Sequence, residues 1–200
     1  EVNYIDAIKY YKMAIDKGDT MSMFCYAGML EDGEGVEVNY KEAIKYYKMA
    51  VDFGDIDSIN SYARMFEKGK GVKVNLKKAI KYYKMGIDYG CGLAMYNYGR
   101  LLRDGIGVEK NIDESIKYIK MAIDHDSQTA MRNYAFMLEN GFCVEQNYEE
   151  AIKYYKMAIE EEDSDSMYRY ARMLASGKGV EVNYEESIKY YKMAIEKGDL

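Results

Sequence analysis

The chain has 200 residues, a formal net charge of −6 and a sequence pI near 5.1, a balance that argues against a nucleic-acid binder. Hydrophobic residues make up 48%, enough for a continuous core, yet no apolar run approaches the ~20 residues that a membrane span needs. Three cysteines at unrelated positions (Cys25, Cys91, Cys143) make a poor disulfide framework and point to reduced thiols in a cytoplasmic setting.

Repetition dominates the rest. Asn3, Asn39, Asn75, Asn111, Asn147 and Asn183 recur at a 36-residue step, each followed four residues later by Ala or Ser and then Ile-Lys-Tyr. A period in this range marks stacked supersecondary units, each contacting mainly its neighbours. Proline is absent, so the 17 glycines must supply the punctuation. Glu1 falls just before a repeat boundary and no Met starts the chain, which reads as a segment of a longer protein.

In chain order, the first element opens at Asn3 and carries Ala7-Ile8-Lys9-Tyr10. The next holds Met23 and Tyr26 and closes at Gly33-Glu34-Gly35-Val36. From Asn39 the pattern is clearest. Asn39 with Glu42 has capping-box spacing, the Asn accepting an orphan backbone N–H and the Glu reaching back. Tyr40, Ala43, Ile44, Tyr47, Ala50 and Val51 then form an apolar helical stripe, with Lys45, Lys48 and Asp52 opposite. Gly54 ends this helix, where a left-handed cap needs no Cβ. Another helix starts near Asp55, buries Ile59, Tyr62, Ala63, Met65 and Phe66, and returns through Gly69-Lys70-Gly71-Val72.

Later copies repeat this with local changes. Asn75 is followed by Lys78 and breaks the capping box. Asp126 and Glu162 replace the corner glycine, which predicts differently built corners there. Cys143 replaces the second loop glycine. Each unit is thus a hairpin of two short antiparallel helices, neither stable alone at this length.

Tyr62-Ala63, Gly69-Lys70-Gly71-Val72, Asn75, Ala79, Tyr83 and the small Gly86 together resemble the Sel1-like repeat family, a relative of the tetratricopeptide repeat with a longer loop between helices. The match recurs along essentially the whole chain. The resemblance implies an all-α fold, a right-handed α/α superhelix of helix–turn–helix repeats with about 11 helices. Residues 1–200 would be a single array, beginning with the second helix of one repeat and continuing with five helix pairs.

Variation between copies points to a surface. The Asn-led helices read almost unchanged. The intervening "first" helices keep core positions such as Met23, Ile59 and Met95 but vary elsewhere at three- and four-residue steps. The variable sets are Met21, Phe24, Gly28 and Glu31; Asp57, Asn60, Arg64 and Glu67; Leu93, Tyr96, Arg100 and Arg103; Thr129, Arg132, Phe136 and Glu139; and Asp165, Tyr168, Arg172 and Ala175. Such steps put each set on one helix face. The family resemblance implies that this face is concave. All six arginines fall in first helices, and Arg and Tyr favour interface hot spots. The expected partner surface is Asn60, Arg64, Tyr96, Arg100, Arg103, Arg132, Phe136, Tyr168 and Arg172, gripping an acidic protein or peptide segment. The repeated lysines of the second helices, Lys9 and Lys12 onward, offer a weaker rival surface, because acids such as Asp16 and Asp52 neutralise much of it.

No catalytic constellation emerges. His125 is the only histidine, and its sequence neighbours Asp124 and Asp126 fix no catalytic geometry. One His and scattered Cys give no zinc pattern, and the Gly-x-Gly loops lack phosphate-loop spacing. The expectation is a non-catalytic scaffold without cofactor or metal. The resemblance also allows a spacer in a large assembly, or a targeting arm of an enzyme lying outside these residues. A β-lactam-hydrolysing subgroup resembles the chain less, since it carries paired cysteines in each repeat.

Overall fold

The structure, a computed structural model, describes residues 3–198. Among them are eleven α-helices and no strands. The helices are α1 (Tyr4–Ile15), α2 (Thr20–Asp32), α3 (Tyr40–Asp52), α4 (Ile56–Lys68), α5 (Leu76–Asp88), α6 (Gly92–Asp104), α7 (Ile112–Asp124), α8 (Gln128–Asn140), α9 (Tyr148–Glu160), α10 (Ser164–Ser176) and α11 (Tyr184–Lys197). They fall into two units, Glu1–Asn111 and Ile112–Leu200.

In the first unit α2 pairs with α3 and α4 with α5. Then α1 packs on α2, α3 on α4 and α5 on α6. In the second, α8 pairs with α9 and α10 with α11, while α7 packs on α8 and α9 on α10.

Helix starts follow the asparagines. The side chains of Asn3, Asn39, Asn75, Asn147 and Asn183 each accept the N–H three residues on, at 2.9–3.2 Å where measured from Asn75 and Asn3 as the extremes. The return half of the capping box differs from expectation. The Glu42 carboxylate takes the side-chain amide of Asn39 at 3.3 Å, and Glu186 that of Asn183 at 3.3 Å. The backbone N–H of Asn39 is already donated to the Leu30 carbonyl at 2.8 Å. Asn75, Asn147 and Asn183 likewise bind Phe66, Leu138 and Leu174. Each of these asparagines therefore both starts a second helix and pins it to the end of its hairpin partner. Asn75 does this without the Glu, so the broken box costs only the outer contact.

The second loop glycine is needed for proximity. Gly71 has φ +72°, and a Cβ there would lie 2.4 Å from the Tyr40 carbonyl oxygen. The loop closing one hairpin thus rests on the start of the preceding second helix. The corners also depart from expectation. Asp126 (φ 55°) and Glu162 (φ 63°) adopt the left-handed conformation that Gly54 adopts at φ 90°. The bonding is the same as well: Asp126 and Ser127 donate to Ile123 and Ala122, as Gly54 and Asp55 donate to Val51 and Ala50. Hydrogen bonding and packing hold the corner shape against the left-handed steric penalty of ~1–2 kcal/mol.

Tyrosine and small residues fill the core. Ala27, Ala43, Ala63, Ala79, Ala135, Ala151 and Ala171 are fully buried and let the helices approach closely. Tyr26, Tyr62, Tyr134 and Tyr170 meet Tyr46, Tyr82, Tyr154 and Tyr190 edge to face, with ring centroids 4.7–5.1 Å apart. Lys12, Lys84, Lys120 and Lys156 lie over Tyr26, Tyr98, Tyr134 and Tyr170 at 5.1–5.4 Å. Four lysines of the repeated pattern therefore cover tyrosine rings within the fold. Lys9, Lys45, Lys81, Lys117, Lys153 and Lys189 remain exposed.

Candidate partner-binding face

The variable positions of the first helices do share a side of each helix, but that side is not uniformly open. Its inner edge is occupied by carboxylates that bind the fold together.

In the first unit, Glu31 at the end of α2 is buried. It accepts hydrogen bonds from Tyr47 Oη of α3 (3.0 Å), Arg64 Nη2 of α4 (3.1 Å) and Lys70 Nζ (2.8 Å). One turn of the array later, Glu67 of α4 accepts from Tyr83 Oη (2.7 Å) and Arg100 Nη2 (2.6 Å). Burial works to raise both carboxyl pKa values. For Glu31 the Lys70 bond, the Arg64 charge and the Tyr47 bond outweigh it, and for Glu67 the Tyr83 and Arg100 bonds do, so both end below the usual range. The tyrosines move the other way: burial and the adjacent carboxylate raise the hydroxyls of Tyr47 and Tyr83.

The expected site residues of this unit therefore have structural partners. Arg64 keeps 45% of its side chain exposed, while Arg100 keeps 18%. Arg103 binds its neighbour Asp104 through Nε and Nη2 at 2.8 and 3.0 Å. Asn60 and Tyr96 are buried, and the Asn60 side chain accepts a bond from Asn97 Nδ2 at 2.8 Å. Successive first helices touch here, so a residue facing along the row is covered by the next helix.

The second unit is more open. Arg132 binds Asp163, the N-cap of α10, at 2.6 Å and Asp165 in its first turn at 3.1 Å. Phe136 is 38% exposed, with the Arg169 guanidinium 4.7 Å from its ring centre. Tyr168 is 45% exposed and leans on Tyr191 of α11, ring centroids 5.6 Å apart. The Arg172 guanidinium lies 6.0 Å from the Tyr168 ring. Glu139 is buried, and its carboxylate accepts a hydrogen bond from Tyr155 Oη at 2.8 Å. A cleft of about 150 Å³ lies between Glu139, Arg172, Met173, Ser176, Lys178 and Tyr191.

Sequence reasoning missed the carboxylates as structural anchors, although a signal exists. Glu31, Tyr47 and Arg64 have counterparts in Glu67, Tyr83 and Arg100, and in Glu139, Tyr155 and Arg172. In the remaining full copy all three change together, to Arg103, Ile119 and Phe136. Joint loss of three residues marks a bonded set.

His125 is exposed at the corner after α7. Among the described residues no cluster of His, Cys, Asp and Glu side chains could hold a metal ion, and no helix is long and apolar enough to cross a membrane.

Paired helices with buried tyrosine seams, asparagine pins and left-handed glycine loops define a helix–turn–helix repeat protein. The Sel1 repeat profile matches residues 1–19, 21–55, 56–90, 92–127, 128–163 and 164–199, and the chain belongs to that family. The matched blocks follow the hairpins, 21–55 covering α3 and all of α2 but its first residue. Among solved structures, the chain is similar to a Sel1 repeat protein from Oxalobacter formigenes, with 26% identity, 90% of this chain and 74% of that one covered, and a TM-score of 0.76. It is similar to an immunity protein from Pseudomonas aeruginosa at 19% identity, covering 95% and 73%, with a TM-score of 0.75. A protective antigen present in uropathogenic Escherichia coli strains, displaying the same repeat fold, matches at 24% identity and a TM-score of 0.65, covering 96% of this chain and 41% of that one. No curated protein sequence matches the chain.

Proposed function

We propose that the chain is a non-catalytic scaffold that holds a segment of a partner protein against its first helices, chiefly at Arg132, Phe136, Tyr168 and Arg172, with Arg64 contributing in the first unit. The observation that carries this reading is the pair Phe136 and Tyr168. Two large aromatic rings stand exposed on neighbouring helices, each beside a guanidinium, in positions where the chain's own repeats otherwise vary. Exposed aromatic and arginine side chains together have the composition of an interface hot spot. Membership of a repeat-scaffold family supports the same class. Three unbridged cysteines support a reducing, cytoplasmic location.

Asn60 and Tyr96 contribute by holding the first helices in register, and Arg100 by binding Glu67. Replacing them would therefore disturb the fold together with any contact. A cleaner test places a photo-crosslinking amino acid at Phe136 or Tyr168 and, separately, at Lys45 or Lys153 on the second helices. Discrete adducts from the first pair alone are expected. Adducts from the lysine positions alone would move the interface to the second-helix face and overturn this reading.

A further inference from the structure

We propose that the cleft beside α10 and α11 is a receptor for one acidic side chain, aspartate or glutamate, of the bound segment. This rests on the scaffold reading and names the chemistry of its partner.

The fold itself sets the rule. Each carboxylate at the end of a first helix is gripped by the tyrosine hydroxyl of the following second helix, as Glu31 is by Tyr47, Glu67 by Tyr83 and Glu139 by Tyr155. In α10 the carboxylate is missing: Ala175 stands in its place, while its tyrosine, Tyr191, is present. The Tyr191 hydroxyl has no hydrogen bond among the described residues, and its ring contact is to Tyr168. Truncating glutamate to alanine removes one methylene and a carboxylate, and the cleft of about 150 Å³ is lined by Tyr191.

The cations lining the cleft are also uncommitted. Arg172 and Lys178 occupy the positions of Arg64 and Lys70, both of which bind Glu31; the counterpart of Glu31 here is Glu139, which pairs with neither of them among the described residues. Neither Arg172 nor Lys178 forms an ion pair among the described residues, although both line the cleft with Glu139. One carboxylate against two cations leaves a net positive site. The Ser176 hydroxyl is spent on the Arg172 carbonyl at 2.8 Å, so the free donors are the guanidinium, the ammonium and the Tyr191 hydroxyl. Those are the donor types that the first unit uses for its own glutamate. The volume is well below the ~300–1,000 Å³ of small-molecule pockets and suits a single side chain. Exposed Tyr168 and Arg172 at the rim put the slot within the proposed partner surface.

The test uses N-acetyl-glutamate methylamide as probe and its glutamine analogue as control, with NMR detection of the Arg172 Nε–H and the Tyr191 ring. A saturable shift at both residues is expected from the glutamate probe, in the millimolar range that one charge-assisted contact permits, and at least tenfold weaker from the glutamine analogue. Ala175→Glu supplies the carboxylate internally and is expected to abolish the probe's effect while keeping the helical spectrum. Arg172→Gln is expected to do the same. Equal response to both probes, no response, or unaltered response in Ala175→Glu would overturn the proposal. The crosslinking result is independent. Adducts at Tyr168 without probe binding sink the slot alone, whereas probe binding without such adducts sinks the partner face.

Discussion

The unit Glu1–Asn111 and the unit Ile112–Leu200 are written in the same repeat, yet they obey its rules to different degrees. In the first, the corners carry Gly18, Gly54 and Gly90, and both buried carboxylates hold a tyrosine and an arginine. In the second, the corners carry Asp126 and Glu162 and one loop carries Cys143, the three non-glycine residues with positive φ among the described residues. The carboxylate of its buried Glu139 holds a tyrosine but no arginine, and its last carboxylate position is Ala175. The exposed aromatics Phe136 and Tyr168 belong to this second unit as well. Departures from local consistency concentrate where function places demands on a fold. Here the positions of Arg64 and Arg100, which close the first unit internally, become in the second unit Phe136 and Arg172, the latter with no ion pair among the described residues.

The largest expected effect tests that contrast directly. Arg100→Ala removes the cation from a buried carboxylate and leaves Glu67 with Tyr83 and the more exposed Lys68. Breaking such a pair from one side costs about 3 kcal/mol. Arg172→Ala, at the matching position of the second unit, removes an exposed side chain with no ion pair and should change stability by less than about 0.5 kcal/mol. Urea denaturation of both variants decides the matter. Equal losses would erase the distinction between a committed and a free arginine.

Acid offers a second route. Glu31 and Glu67 have carboxyl pKa values lowered in the fold, so their contribution is complete above the unfolded value near 4.5 and disappears as pH falls through the lower folded value. The stability gap between the parent chain and Glu67→Gln should therefore be widest near neutrality, about 1–3 kcal/mol for a charged hydrogen-bonding group, and should close below pH ~4. A gap that stays constant down to pH 3 would mean that the carboxylate charge contributes nothing.

How much of this was readable beforehand depends on distance along the chain. The period, the hairpins, the asparagine caps and the glycine loops are local, set by residues within one turn of each other, and they stand where the sequence places them. The fate of the Asn39 backbone N–H was not readable, because it depends on the end of α2, brought alongside by the loop. The partner face was legible as a direction but not as a width. Three- and four-residue steps show that Asn60, Arg64 and Glu67 share a side of α4. They do not show how much of that side α2, α3 and α6 cover. Glu31 and Glu67 lie under neighbouring helices, and Tyr96 is buried by the same crowding, whereas Tyr168 is exposed on α10.

The smallest effect concerns the corners. Asp126 and Glu162 hold the left-handed conformation that glycine takes without penalty, and their backbone hydrogen bonds match those of the Gly54 corner. Glu162→Gly should relieve strain of ~1–2 kcal/mol, but glycine also loses more backbone freedom on folding, by about 0.5–1 kcal/mol. Glu162 further accepts an exposed bond from Lys197 at 2.6 Å, a surface pair that contributes little and would be lost. The net gain should therefore be at most about 1 kcal/mol. Asp126→Gly, with no such pair, should gain slightly more. The converse change, Gly54→Ala, meets no atom within 4 Å, so its cost would be backbone strain alone, about 1 kcal/mol. Opposite signs in the two units would show that the second carries its corners at a penalty. A loss from Glu162→Gly as large as that from Gly54→Ala would mean that the acidic corner has a stabilising contact stronger than the left-handed strain, and the two units would then differ in composition without differing in how well they obey the repeat.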